Sequence, residues 1–179
     1  MYSLGPYQMP GHSNRIFALR FIDDDPNILL SGGWDSCIYI WDLREKKSVG
    51  AIPGPNISGE ALDYKKGMVI TGSHRGVEAL ELWDFATRKR IQEIRWNKKE
   101  QEGTAYIYTC QFSKVTNEYI VAGCSGLNEV KIFDLENQCK ELCTVAGLRK
   151  GCYTADFGHC SKKVAFSGGD GIVYVCNLG

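Results

Sequence analysis

The feature that most constrains this chain is an internal repeat. Four segments align on a small residue, a glycine step and an aromatic or cysteine ending: Leu29–Leu43, Val69–Phe85, Ile120–Leu135 and Ala165–Leu178. Their anchors, Trp41, Trp83, Phe133 and Cys176, stand 42, 50 and 43 residues apart. A period of roughly 40–45 residues is that of a four-stranded propeller blade. Each repeat carries a second run upstream, Ile16–Phe21, Ile57–Tyr64, Ile107–Phe112 or Tyr153–Phe157, with the alternation or β-branching of a half-buried strand. Polar turns (DDDPN, KKG, SKVTNE, GHCSKK) join the two runs. A short fourth strand follows the anchor at Ser48–Ile52, Arg90–Ile94 and Leu142–Val145, whereas the fourth repeat stops after its third strand. The one helix-like stretch, Ile91–Gln101, is apolar only in its first half and reads as a strand followed by a charged loop.

The expected organisation is therefore all-β: four blades of antiparallel four-stranded sheets in an incomplete or half ring. The blades span about 11–52, 53–95, 104–146 and 147–179, the last without its outer strand, and residues 1–10 are a candidate closing or edge strand. Pro6 and Pro10 confine that segment to an edge. Twenty glycines against five prolines suit tight turns between strands. Lys+Arg and Asp+Glu balance at 21 each, so no overall basic field draws the chain to nucleic acid. No run approaches the roughly 20 apolar residues of a membrane span, and the N-terminus lacks the pattern of a secretory signal. The eight cysteines form no CxxC pair and read as reduced thiols of a cytoplasmic protein.

With Trp41–Asp42 and Trp83–Asp84 intact, Phe133–Asp134 and Cys176–Asn177 weakened, and Gly11–His12 opening the first repeat, the chain resembles the WD-repeat β-propeller family from about Gly11 to Leu178. The resemblance implies a buried hydrogen-bond network in each good blade. In the first blade it falls on His12, Ser31, Asp35 and Trp41. An indole N–H must find an acceptor when buried, a hydroxyl accepts it and donates onward, and an imidazole passes the chain to a carboxylate. The second blade keeps Thr71 and Trp83 and gains two turn residues. The third, with Ala122 and Phe133, is expected to replace the network by apolar packing. The fourth keeps Ser167 and Asp170 but ends in Cys176.

Members of the family most often have seven blades, so four leave three arrangements open: part of a longer propeller, a half-propeller completed by another half or a second copy, or a small closed ring. The expected partners are other proteins. In the family, the loops joining strands d to a and b to c form the rim on which partners dock. Candidate rim residues are Asn14, Arg15, Trp34, His74, Arg75, Tyr106, Leu127, Asn128, Lys150 and Tyr153. Trp34, a large aromatic at a turn tip, is either a binding anchor or a lid on the neighbouring blade. The connection Trp96–Tyr106 reads as a solvated loop.

No catalytic constellation emerges, and no cofactor or metal is expected. His12 belongs to the blade network. Cys152, His159 and Cys160 match no structural zinc spacing, and Cys139 and Cys143 straddle a turn. GGDG at 168–171 lies between two strands, as a hairpin turn does. The expected function is a non-catalytic protein-interaction scaffold within a larger assembly. The alternatives are phosphopeptide or nucleic-acid binding through loops near Arg15, Arg75 and Lys150, and a metal-dependent enzyme using the central channel.

Overall fold

Among the described residues, the alternation set out above folds into fifteen strands. The computed structural model describes residues 11–96, 103–115 and 118–178. The first sheet holds β1 (Ile16–Phe21), β2 (Ile28–Gly33), β3 (Cys37–Asp42) and β4 (Lys47–Pro53). The second holds β5 (Leu62–Lys65), β6 (Met68–Gly72), β7 (Leu80–Asp84) and β8 (Lys89–Glu93). The third holds β9 (Tyr106–Phe112), β10 (Tyr119–Ser125), β11 (Val130–Asp134) and β12 (Lys140–Val145). The fourth holds β13 (Cys152–Phe157), β14 (Lys163–Gly168) and β15 (Val173–Asn177). Every sheet is an antiparallel meander in chain order. Met1–Pro10 and most of the Trp96–Tyr106 connection lie outside the described residues.

One strand is shorter than its sequence suggests. The run Ile57–Tyr64 becomes a strand only from Leu62. Its first half is spent on the neighbouring blades: Ile57 N–H donates to Gly33 O at 3.0 Å, and Glu60 bridges in parallel to Thr109.

The sheets stack face to face, and the strand period sets which residues fill the joints. On the third strands, Ile38 and Ile40, Leu80 and Leu82, and Val130 and Ile132 are 0–4% exposed. They cover the aromatic residue that each following blade presents from its first strand: Tyr64, Phe112 and Phe157, all buried. Full burial of one such side chain stabilises by about 1.5–3 kcal/mol. The joints close because a glycine on the second strand admits the next blade. A Cβ on Gly32 would lie 2.9 Å from Ile57 Cγ1, on Gly72 2.3 Å from Ile107 Cγ2, and on Gly123 2.6 Å from Cys152 Sγ. Cysteine is thus used here as a small apolar wedge: Cys152 is buried, while His159 and Cys160 are exposed on the β13–β14 turn. Burial raises the Cys152 thiol to about 11.

Polar ties cross the same joints. Arg20 Nε stands 2.7 Å from Asp63 Oδ1. The Asp63 carboxylate also accepts from the backbone N–H of Tyr64 at 2.8 Å and of Phe112, in the third blade, at 2.9 Å. Burial nevertheless pushes the Asp63 carboxyl up. Tyr64 donates to Asp24, and Lys65 donates to the backbone carbonyl of Ser113.

The four blades solve their internal polar problem differently. In the first, Trp41 Nε1 donates to Ser31 Oγ at 2.7 Å. Ser31 Oγ lies 2.7 Å from His12 Nε2, and His12 Nδ1 lies 2.8 Å from Asp35 Oδ2. With the indole occupying one lone pair, the hydroxyl donates to Nε2 and Nδ1–H donates to the carboxylate, a tautomer fixed by its partners. In the second blade Trp83 donates to Thr71 at 2.9 Å. Glu81, 1% exposed, is held by Arg75 and Arg90, each at 2.8 Å.

The third blade departs from simple apolar replacement. Phe133 does pack against Trp96, with centroids 6.0 Å apart. Beside it, Lys131 is 7% exposed, donates to the Trp96 carbonyl at 2.9 Å and pairs with Glu141 at 3.2 Å. A buried ammonium cannot be left alone, and these partners neutralise it.

The fourth blade requires a correction of one residue. Gly168 pairs with Cys152 as Gly33 pairs with Ile16, and Phe166 pairs with Tyr174 as Ser31 pairs with Tyr39. Phe166, not Ser167, therefore stands in the place of Ser31. Cys176 takes the place of Trp41, and Leu148 lies in the same apolar cluster, so the fourth blade packs apolar side chains there. Asp170 is released to accept from Tyr174 Oη at 2.7 Å.

Two outcomes follow. Ser31→Ala leaves an indole donor and an imidazole acceptor unpaired and lowers stability by about 1–3 kcal/mol in urea denaturation, whereas Ser167→Ala changes it by less than about 0.5 kcal/mol. The second concerns acid. The hydrogen bond from the Arg44 side chain holds the Asp42 carboxyl down at about 2, below the ordinary aspartate value of about 3.9. A depressed carboxyl stabilises fully above the unfolded value and loses that contribution as pH falls through the folded one. Thermal melts between about pH 4 and pH 2 should drop more steeply for the native chain than for Asp42→Asn.

Candidate functional site

At the start of three first strands the chain carries one residue more than its partner strand. The pairing register slips between Ile16 and Ala18, between Ile107 and Thr109, and between Cys152 and Thr154. The residues left over are Phe17, Tyr108 and Tyr153. A β-bulge turns its extra residue out of the sheet alternation, and here all three are aromatic. They stand beside the β2–β3, β6–β7, β10–β11 and β14–β15 turns, so the bulges and turns together build one rim.

The first blade contributes Trp34, whose ring centroid lies 4.9 Å from that of Phe17 and 5.3 Å from the Arg15 guanidinium carbon. Trp34 Nε1 donates to Ser58 Oγ at 2.9 Å, and the Trp34 carbonyl accepts from Asn56 Nδ2 at 3.0 Å. Trp34 is thus both a lid on the second blade and an open surface, with 40% of its area exposed. The second blade contributes His74, stacked on Tyr106 with centroids 4.6 Å apart and edge-on to Tyr108 at 5.4 Å. Tyr108 meets Tyr153 of the fourth blade edge-on at 5.0 Å. Aromatic contact therefore runs unbroken from His74 through the third blade to the fourth.

Between Trp34 and His74 the row opens. In the second blade the residue after Ile57 is Ser58, where the other three blades carry an aromatic. The result is a groove of about 540 Å³ lined by Asn14, Phe17, Trp34, Asn56, Ser58, His74 and Tyr108. Its walls are ring faces and its polar groups are neutral amides, a hydroxyl and an imidazole. Such a surface offers apolar contact together with donors and acceptors suited to a peptide backbone. A second groove, about 350 Å³, lies at the opposite end among Tyr119, Leu142, Cys160 and Leu178.

The proposed rim residues divide. Asn14, Arg15, Trp34, His74, Tyr106 and Tyr153 converge as described, and Lys150 lies alongside Gly169 near Tyr153. Arg75 is turned inward: it bonds Ser73 Oγ at 3.1 Å and Glu81 at 2.8 Å, so its charge is spent inside the second blade. Leu127 packs on the core, and Asn128 takes the left-handed turn position at φ 56°. Phe17, Asn56, Ser58 and Tyr108 were not anticipated. Each of Phe17, Ser58 and Tyr108 directly follows the isoleucine that opens its upstream run, but alternation alone does not announce the bulge.

Comparison with known proteins agrees with this architecture. The sequence model described as "WD domain, G-beta repeat" matches residues 6–42. Mitochondrial division protein 1 of Aspergillus oryzae is 26% identical over 136 residues, covering 75% of this chain and 19% of the relative. Protein transport protein SEC31 of Dictyostelium discoideum is 24% identical over 148 residues, covering 79% of this chain and 11% of the relative. The Ribosome biogenesis protein WDR12 homolog of Culex quinquefasciatus is 32% identical over 128 residues, covering 70% and 28%. The chain thus spans less than a third of the length of each of these relatives. Among solved structures, the computationally designed Ika4 protein superposes with a TM-score of 0.75 at 22% identity, covering 96% of both chains, which shows the fold alone. The repeat, the meander sheets and these matches agree: the chain belongs to the WD-repeat β-propeller family.

Proposed function

We propose that this chain is a non-catalytic scaffold that binds an extended protein segment across its rim, with an apolar or aromatic side chain seated between Trp34 and His74. The observation that carries this reading is the row of bulge-directed aromatics from all but the second blade, opened into a groove at Ser58. The groove supplies what peptide recognition uses: large ring surfaces, fixed neutral hydrogen-bonding groups and a scaffold that holds them. The relatives, whose names assign them to mitochondrial division, protein transport and ribosome biogenesis, support a part in multiprotein assemblies; the proposed setting is cytoplasmic.

Nucleic acid is a poorer match. Of the three cations first considered, Arg75 is neutralised by Glu81 and Arg15 lies against Trp34. A metal-dependent reaction lacks support as well, since among the described residues no three histidine, cysteine or acidic side chains gather as a metal would require.

A second arm of the reading concerns the ends of the stack. The outward faces of the first and fourth blades expose Leu19 and Phe21, and Val173 and Val175, the positions that are buried at interior joints. These faces suit another propeller half that completes the ring.

The rim reading is tested by affinity capture from cells with quantitative mass spectrometry, comparing the native chain with Trp34→Ala and Tyr108→Ala. Proteins bound through the rim should be recovered at about a tenth or less with either variant, the loss of one hot-spot side chain, while urea midpoints change little. Equal recovery from all three forms, or a native chain that captures nothing, contradicts it.

A further inference from the structure

The glycine that admits the next blade is present at every interior joint and missing at the last. Gly32, Gly72 and Gly123 pair with Ile38, Leu80 and Val130, the first buried residue of each third strand, and each lies under the first inner-strand residue of the next blade: Ile57, Ile107 and Cys152. Even the small Cys152 sulfur would stand 2.6 Å from a Cβ at Gly123. The register of the fourth sheet puts Ser167 at this place, paired with Thr154 and Val173 as Gly32 is paired with Ala18 and Ile38. The rest of the fourth blade's outward face keeps the interior pattern. Val173 and Val175 correspond to Ile38 and Ile40, and they are 71% and 64% exposed.

The free face of the first blade is also built as a joint face. Leu19 and Phe21 hold the places of Leu62 and Tyr64, Cys110 and Phe112, and Ala155 and Phe157 in the blades that follow. Its leading residue is Ile16, 50% exposed, in the place of Ile107 and Cys152. A second copy could therefore stack its first blade on this fourth blade in every respect but one. Ile16 would have to occupy the space that the Ser167 Cβ and hydroxyl already fill.

We propose that the outward face of the fourth blade docks a further propeller blade whose leading inner-strand residue is glycine, and that Ser167 rejects the first blade of a second copy because that blade leads with Ile16. The surface continues the three joints already formed, and its occupant is fixed by the volume left above Ser167. This deepens the ring-completion arm of the function and is independent of the rim.

Sedimentation velocity over a concentration series tests it. The probes are the native chain, Ser167→Gly, Ile16→Gly, and each of these two combined with Val173→Asp. All of these sites are solvent-accessible, and circular-dichroism melts confirm that each protein is folded. Ser167→Gly restores the socket and Ile16→Gly supplies a blade of the required chemistry, so each should tighten self-association about tenfold or more over the native chain. Val173→Asp should abolish the gain. Self-association of the native chain as tight as that of both variants, and sensitive to Val173→Asp, overturns the discrimination by Ser167. Failure of both single variants to associate overturns the docking face itself, and neither result bears on capture by the rim.

Discussion

Everything in this molecule depends on how closely one blade can approach the next. A four-stranded meander has an apolar face on each side and cannot bury either one alone. Stacking buries both, but only where the backbone of the second strand carries no side chain. Gly32, Gly72 and Gly123 meet that condition, and Ile57, Ile107 and Cys152 fill the space above them. The buried isoleucines, leucines and valines of the third strands then reach the aromatic of the next blade. With the joints fixed, the bulges that open the first strands fall at one end of the stack, and their extra residues become a shared surface.

While an apolar joint recurs between successive blades, the polar groups within each blade vary. The Trp41–Ser31–His12–Asp35 relay of the first blade becomes Trp83–Thr71 with a buried Glu81 between two arginines in the second. In the third it becomes Phe133 beside a neutralised Lys131, and in the fourth a set of apolar side chains around Phe166. Each version pairs its buried donors and charges, which is the physical requirement. The identity of the network is secondary to its being satisfied.

Much of this was legible in the sequence. Trp41, Trp83, Phe133 and Cys176 mark the third strands, and the family resemblance assigns the relay of the first blade to His12, Ser31, Asp35 and Trp41. The fourth blade misled by one residue because Ser167-Gly168-Gly169 repeats the letters of Ser31-Gly32-Gly33. The turn decides the matter: Gly171 takes the left-handed position that Ser36 takes in the first blade, which moves Phe166 into the place of Ser31. The rim was half visible. Trp34 and His74 stand out at turn tips, but Phe17 and Tyr108 sit inside alternating strand patterns, and nothing in alternation announces a bulge. Arg75 read as a free cation because its partner, Glu81, is a strand residue that the pattern assigned simply to the sheet.

The blades join at Gly32, Gly72 and Gly123, and a double-mutant cycle at one of them tests that dependence most directly. A Cβ at Gly72 would stand 2.3 Å from Ile107 Cγ2. Measured by urea denaturation, Gly72→Ala should destabilise by about 1–3 kcal/mol through overpacking. Combined with Ile107→Ala, it should cost less than the sum of the two single changes by about 1 kcal/mol or more, because the truncation removes the atom that crowds the new Cβ most. Strict additivity, or a Gly72→Ala protein as stable as the native one, would contradict the claim that bare backbone at these glycines is what lets the blades join.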